Sequence, residues 1–488
     1  MRRILGLIAL LVSFALAAPG AQAAPELGVN LAGNWFSSDA QFNALAQTGS
    51  KWARVFVFRD QVEQSPGSLN GPLITAYRAG FARMASLGVK PLVEVVGTPS
   101  WESGSPDNLV PPNPAGYANF ARALSAAFGG SVGAYEVWNE EDAPLWWRGA
   151  PDAPAYAALL KVAYPAFKSG SPNAPVLLGG LTGNNSQFLS AVLDNGAAGS
   201  FDGVAVHADT ACNLNSPYYY QKDNGGIITF SSFLGYKELL KVLAAHGVKT
   251  ASSRDVAGQV KIWFDEIGWA VDQALNGVAP GSHVGNNRAT TRDLPCDQGV
   301  WANQKAGGVS EDQQALYLAQ AYHCIANDPN IAAALWFSFQ DLSPDNTPNN
   351  RFGLITSDGT QRKAFATFAG LTRNGDQLTN DQCGNFDGPK ISVLELGDPQ
   401  GKNLTSGKYH KKLHVKVEAD DAATVGRITL LLDGHKVRNF TKPQGPSMTG
   451  TIDINSAKNL ANGPHKLTII AKNMAGNITQ VDVTVTKV

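Results

Sequence analysis

Lys90-Pro91-Leu92-Val93-Glu94-Val95-Val96, then Asn113-Pro114 heading a helical stretch to Phe128, then Ala134-Tyr135-Glu136-Val137-Trp138: this run decides the fold. The first and last segments are short and apolar, as expected of parallel strands buried on both faces. Asn113 has the chemistry of a helix N-cap, and Pro114 fits the first helical turn, where no backbone N–H is needed. Strand, helix, strand within about 50 residues is one βαβ unit.

The same alternation extends in both directions. Strands are predicted at 27–31, 53–58, 90–96, 134–138, 176–179, 203–207, 261–265 and 333–337. Tyr156, Leu159, Leu160, Ala163 and Phe167 mark one face of an intervening helix. Ser310 and Gln313 form a capping box before another. Eight such units over about 350 residues predict an α/β fold, a closed (β/α)8 TIM barrel spanning 24–372. No glycine-rich dinucleotide fingerprint or P-loop accompanies the strands.

Outside the barrel the pattern changes. Arg2 and Arg3, an apolar run from Ile4 to Ala18, and Ala21-Gln22-Ala23 read as a secretory signal peptide over 1–23. That places the chain outside the cytoplasm, secreted or in the cell envelope, with no membrane span once the signal is removed. Residues 373–389 read as a polar linker, and 390–488 as a small β-sandwich whose Asp433-Gly434 marks a hairpin turn. Two connections, 208–231 and 271–309, are longer than a barrel needs and carry Tyr218, Tyr219, Tyr220 and Trp301. An even cysteine count suits two disulfides in an exported chain; the expected pairs are Cys212–Cys296 and Cys324–Cys383.

Charge narrows the partners. Lys and Arg total 39 against 40 Asp and Glu, so the basic excess that nucleic acid demands is missing. The cysteines lack metal-ligand spacing and the histidines are scattered, so neither a metal nor another cofactor is expected.

Barrel chemistry belongs at the C-terminal strand ends. The fourth strand ends Trp138-Asn139-Glu140-Glu141, and the seventh Asp265-Glu266-Ile267-Gly268-Trp269. Two carboxylates facing one cleft are what glycosidic cleavage requires: one protonates the leaving oxygen, the other supports the anomeric carbon. These motifs, in this strand order, resemble the retaining glycoside hydrolases of clan A, nearest the cellulase-like family 5 and the β-xylosidase-like family 39. The resemblance covers roughly residues 27–371.

It implies Glu140 as acid/base, in preference to Glu141, and Glu266 as nucleophile, in preference to Asp265. Their carboxyl groups would stand about 5–5.5 Å apart. Asn139 would hold a sugar 2-hydroxyl, Arg54 would lie beneath the nucleophile, and His207 would line the site. The family often has a tyrosine two residues after that histidine; Asp209 stands there instead. Trp336 matches the clan's sugar platform, and Trp269, Trp101, Trp146 and Trp147 are candidates for further stacking surfaces. The strands ending in Ala471-Lys472-Asn473 resemble bacterial immunoglobulin-like modules. The expected activity is hydrolysis of a β-linked polysaccharide or oligosaccharide. Two alternatives stand beside it: a non-catalytic carbohydrate-binding surface protein, and a transglycosylase using the same carboxylates.

Overall fold

The computed structural model describes residues 24–208, 217, 227–228, 232–251, 258–272, 308–326, 328–344, 350–373, 388–400, 404–442, 445–473 and 478–488. The signal peptide, Asp209, Cys212, Cys296, Cys383, Tyr218–Tyr220, Trp301 and most of the linker lie outside these residues.

Eight parallel strands close into a barrel: β1 (Glu26–Asn30), β2 (Trp52–Phe58), β3 (Lys90–Val96), β4 (Ala134–Asn139), β5 (Val176–Thr182), β6 (Gly203–His207), β7 (Lys261–Ile267) and β8 (Ile331–Trp336). β8 pairs with β1 and completes the ring. A helix follows each strand: α1 (Asp39–Thr48), α2 (Gly71–Ser86), α3 (Pro114–Phe128), α4 (Ala153–Gly170), α5 (Ser186–Asp194), α6 (Tyr236–Ala245), α7 (Glu311–Ile325) and α8 (Lys363–Arg373). The chain therefore has the (β/α)8 fold its sequence predicts.

Local chemistry sets the helix starts. The Asn113 side chain accepts from the Gly116 N–H at 3.1 Å, with Pro114 in the first turn. Ser310 and Gln313 make the reciprocal capping box ahead of α7. Tyr156, Leu159, Leu160, Ala163 and Phe167 are all buried, so the apolar stripe of α4 faces the sheet. Among the described residues no helix is long and apolar enough to cross a membrane.

Strand alternation stacks the barrel interior in layers. Trp52, Leu92, Ala134, Leu177, Ala205, Trp263, Ala333 and Leu335 form an apolar plug. Trp52 and Trp263 meet edge to face at 4.8 Å. Two residues further along their strands, Arg54, Glu94, Glu136 and Asp265 form a charged layer, fully buried. The functional side chains stand on this layer.

The long connection after β7 leaves and rejoins at one point. Val271 bridges Val309, and the Asp272 N–H donates to the Val309 carbonyl at 2.8 Å. Cys324 on α7 is buried and disulfide-bonded; the other three cysteines fall outside the described residues.

The C-terminal strands are β9 (Lys390–Gly397), β10 (Lys408–Tyr409), β11 (Leu413–Leu432), β12 (His435–Phe440), β13 (Gly445–Ile454), β14 (Gly463–Asn473) and β15 (Ile478–Lys487). They enclose a core of their own, including Tyr409, Val415, Ile428, Leu430, Leu467 and Ile469. The segments 413–417 and 428–432, which read as separate strands, are the two ends of one strand, β11. Its first half pairs with β9 and β13, and its second with β12 and β14. Changing partners midway lets one strand serve both halves. The Asp433-Gly434 turn forms as expected, with φ of 49° and 80°.

Candidate active site

Arg54 organises the site. Its guanidinium is bidentate on Glu136, at 2.8 and 3.0 Å. It also donates to Glu266 at 2.6 Å, to the Asn139 side-chain oxygen at 2.9 Å and to that of Asn30 at 3.1 Å. Carboxylate oxygens of Glu94 and Asp265 lie 2.6 and 3.3 Å away. Burial works against its charge, but Glu136, Glu94, Asp265 and Glu266 outweigh this and hold the group well above its ordinary value. A buried cation with this many partners fixes their positions as well as its own.

His207, at the end of β6, joins the two carboxylates named from sequence. Its Nδ1 is 2.8 Å from Glu140, and its Nε2 is 3.2 Å from Asp265 and 3.6 Å from Glu266. Burial would lower its pKa, yet the charges of Glu266 and Asp265 raise it well above the usual histidine range. Its protonated form is thereby favoured, with the ring held between the side chains of Glu140 and Asp265.

The neighbouring acids divide by environment. Burial pushes Glu94 well above the carboxylate range despite Arg54, which favours its protonated form. Burial raises Glu136 to about 8, again against Arg54. Asp265 goes the other way: burial opposes its charge, but His207 and Arg54 bring it to about 2. Cationic groups thus sit among several acids, some of which favour their neutral forms.

Glu136, His207 and Asp265 bring metal-ligand-type atoms within 4.8 Å of one another. Arg54 already bonds Glu136 and pairs with Asp265, and His207 contacts Asp265. The guanidinium supplies the positive charge this cluster would offer a metal, so the donor set does not fit one.

Backbone geometry turns Glu140 into the cleft. Trp138 and Glu140 have φ of 74° and 43°, uncommon for side-chain-bearing residues and typical of functional sites. The Glu140 N–H donates to the Gly180 carbonyl at 3.1 Å. Glu140 and Glu266 line a cavity of about 590 Å³ at the C-terminal face. Glu141 is fully buried outside that lining, and its carboxyl is pushed well above the usual range by burial and by Asp142.

The tryptophans sort differently from expectation. Trp336 is fully buried, donates to the Phe352 carbonyl at 2.9 Å and packs 6.0 Å from the equally buried Trp269. Neither lines the cavity, so the expected platform role of Trp336 is corrected: its ring is enclosed by core neighbours. Trp101 also lies off the cavity, donating to the Glu63 carbonyl and sitting beside Arg59. Trp147 is buried against Trp138. Trp146 is the tryptophan from the candidate set that lines the cavity, together with Phe56 and Phe58.

Several site residues escaped the sequence reading. Glu94 and Glu136 carried a signal: acids inside otherwise apolar strands, on the alternation that also places Arg54 inward. Gly179-Gly180 carried another, since glycine in a strand marks close approach. A Cβ at Gly180 would sit 2.0 Å from His207 Nε2.

With this geometry in place, comparison with known proteins adds the fold relationship. A family 39 glycoside hydrolase from the gut symbiont Bacteroides cellulosilyticus WH2 matches over 88% of this chain and 80% of its own, at TM-score 0.53 and 19% identity. This chain shares that fold. A family 39 β-xylosidase from Caulobacter crescentus matches over 84% and 82%, at TM-score 0.46 and 15% identity. A subfamily 18 member of family 5 from Streptomyces cattleya, solved with GlcNAc, matches over 73% and 81%, at TM-score 0.48 and 15% identity. No protein-family model and no curated protein matches the sequence.

Proposed function

We propose that this chain is a retaining glycoside hydrolase that cleaves a β-linked glycoside by double displacement. The observation that carries the reading is the pair Glu140 and Glu266, lining one cavity and bridged beneath it by His207. Glu266 is held by Arg54 at 2.6 Å, which fixes it for attack. In the first step its oxygen bonds the anomeric carbon while Glu140 gives a proton to the departing oxygen. In the second, Glu140 takes a proton from water, whose oxygen displaces Glu266. Asn139, anchored by Arg54, is placed beside both acids to bind a sugar hydroxyl.

Export through the signal peptide and a saccharide substrate belong to this same reading. The shared fold is compatible with it, and the side chains carry it. The test is an assay of the mature protein on aryl β-glycosides and β-linked saccharides beside Glu140→Gln and Glu266→Gln. Both substitutions should lower turnover by several orders of magnitude. Activity unchanged in Glu266→Gln rejects the nucleophile. A glycan that binds without being cut favours the carbohydrate-binding alternative, and chain-lengthened products the transglycosylase.

A further inference from the structure

The cavity above the two acids is mostly apolar, with Asn34, Gln61 and Asn139 among its polar lining. Among the described residues its only charged lining groups are Glu140 and Glu266. Phe56 stacks on Phe58 at 5.5 Å and 12°, and on Trp146 at 5.8 Å and 23°, giving one continuous aromatic wall. Phe36 and Leu73 extend the apolar lining. Leu145 and Leu342 also line it, 37% and 51% exposed. Leucines exposed at a concave site bordered by aromatics are a ligand surface rather than scattered surface residues.

The location of this wall decides what it meets. Leu145 and Trp146 belong to the same β4–α4 connection as Glu140, the group that protonates the leaving oxygen. On the glycosidase reading, the part of the wall carried by Leu145 and Trp146 is the part assigned to the leaving group, since it shares a connection with the proton donor. A further sugar there would bring several hydroxyls against carbon, each costing on the order of 1–3 kcal/mol if it loses water without a partner. An alkyl or aryl group gains from the same contact.

We infer that the substrate is a glycoside of an apolar alcohol, with its hydrocarbon portion lying between the Phe56–Phe58–Trp146 wall and Leu342. This inference rests on the glycosidase reading and adds the leaving group. The bond between the anomeric carbon and the alcohol oxygen breaks, and Glu140 protonates that oxygen. Glu266 bonds the anomeric carbon, and water then releases the sugar and returns the proton to Glu140. The products are a free sugar and an apolar alcohol.

The test uses the mature full chain and n-alkyl β-glycosides of whichever sugar the aryl panel selects, each below its micelle concentration. kcat/KM is expected to rise about two- to fourfold per added methylene until the cavity is filled. Leu342→Asn should flatten that slope. Intact hydrolysis with no dependence on chain length, or a preference for unsubstituted oligosaccharides, overturns the inference and leaves the glycosidase reading standing. If no glycoside is cleaved, the glycosidase reading fails, and the pocket is judged by calorimetric binding to Glu266→Gln. Affinity that tightens with each methylene supports an apolar-glycoside ligand; affinity independent of chain length overturns it.

Discussion

Replacing Arg54 with methionine removes the single guanidinium shared by Glu94, Glu136, Asp265 and Glu266. Breaking one buried ion pair by deleting a partner typically costs about 3–5 kcal/mol, because the remaining charge is left without compensation. Glu136 loses both of its Arg54 bonds, and Glu266 loses its 2.6 Å contact. The barrel spans about 350 residues, so its unfolding entropy is about 0.7 kcal/mol per kelvin, and the loss corresponds to a Tm lower by about 4–7 °C. The orphaned acids can recover by taking up protons. Arg54→Met should therefore be more damaging at pH 8 than at pH 5. Glu94→Gln is the contrasting substitution: burial already favours the neutral form of Glu94, so an amide of the same shape should cost less than about 1 kcal/mol. Scanning calorimetry of both variants at both pH values decides the matter. An Arg54→Met barrel melting within a degree of wild type at pH 8, or a Glu94→Gln variant less stable than Arg54→Met, would refute this account of the charged layer.

Two further outcomes follow from the same geometry. Gly180→Ala places a Cβ against His207 Nε2, so the ring must move; turnover should fall by at least about tenfold, with fold retention checked by circular dichroism. The folded-state pKa of His207 is raised, so its pairing stabilises fully below its unfolded value of about 6.5 and is lost as pH rises through the folded value. The Tm gap between wild type and His207→Asn should accordingly shrink from pH 6 towards pH 10, and a gap that widens would mean the ring is neutral in the folded state.

The repeating unit is readable from local sequence. Short apolar strands, capped helices and the Asp433-Gly434 turn all depend on neighbours close in the chain, so each is legible locally. The sequence also offered carboxylates at the ends of the fourth and seventh strands, and the resemblance to clan A pointed to Glu140 and Glu266 among them and to Arg54 and His207 beside them. Depth and partnership, by contrast, come from contacts between distant parts of the chain. Trp336 and Trp101 look alike as aromatic residues near strand ends, yet packing buries the first completely and leaves the second beside Arg59. The β11 segments 413–417 and 428–432 read as two strands because partner exchange in mid-strand leaves no mark in local alternation. The tally of acids around Arg54, and which of them keep a proton, depends on four strands meeting in one layer. That is a long-range property, fixed by closure of the ring and by the loss of water inside it.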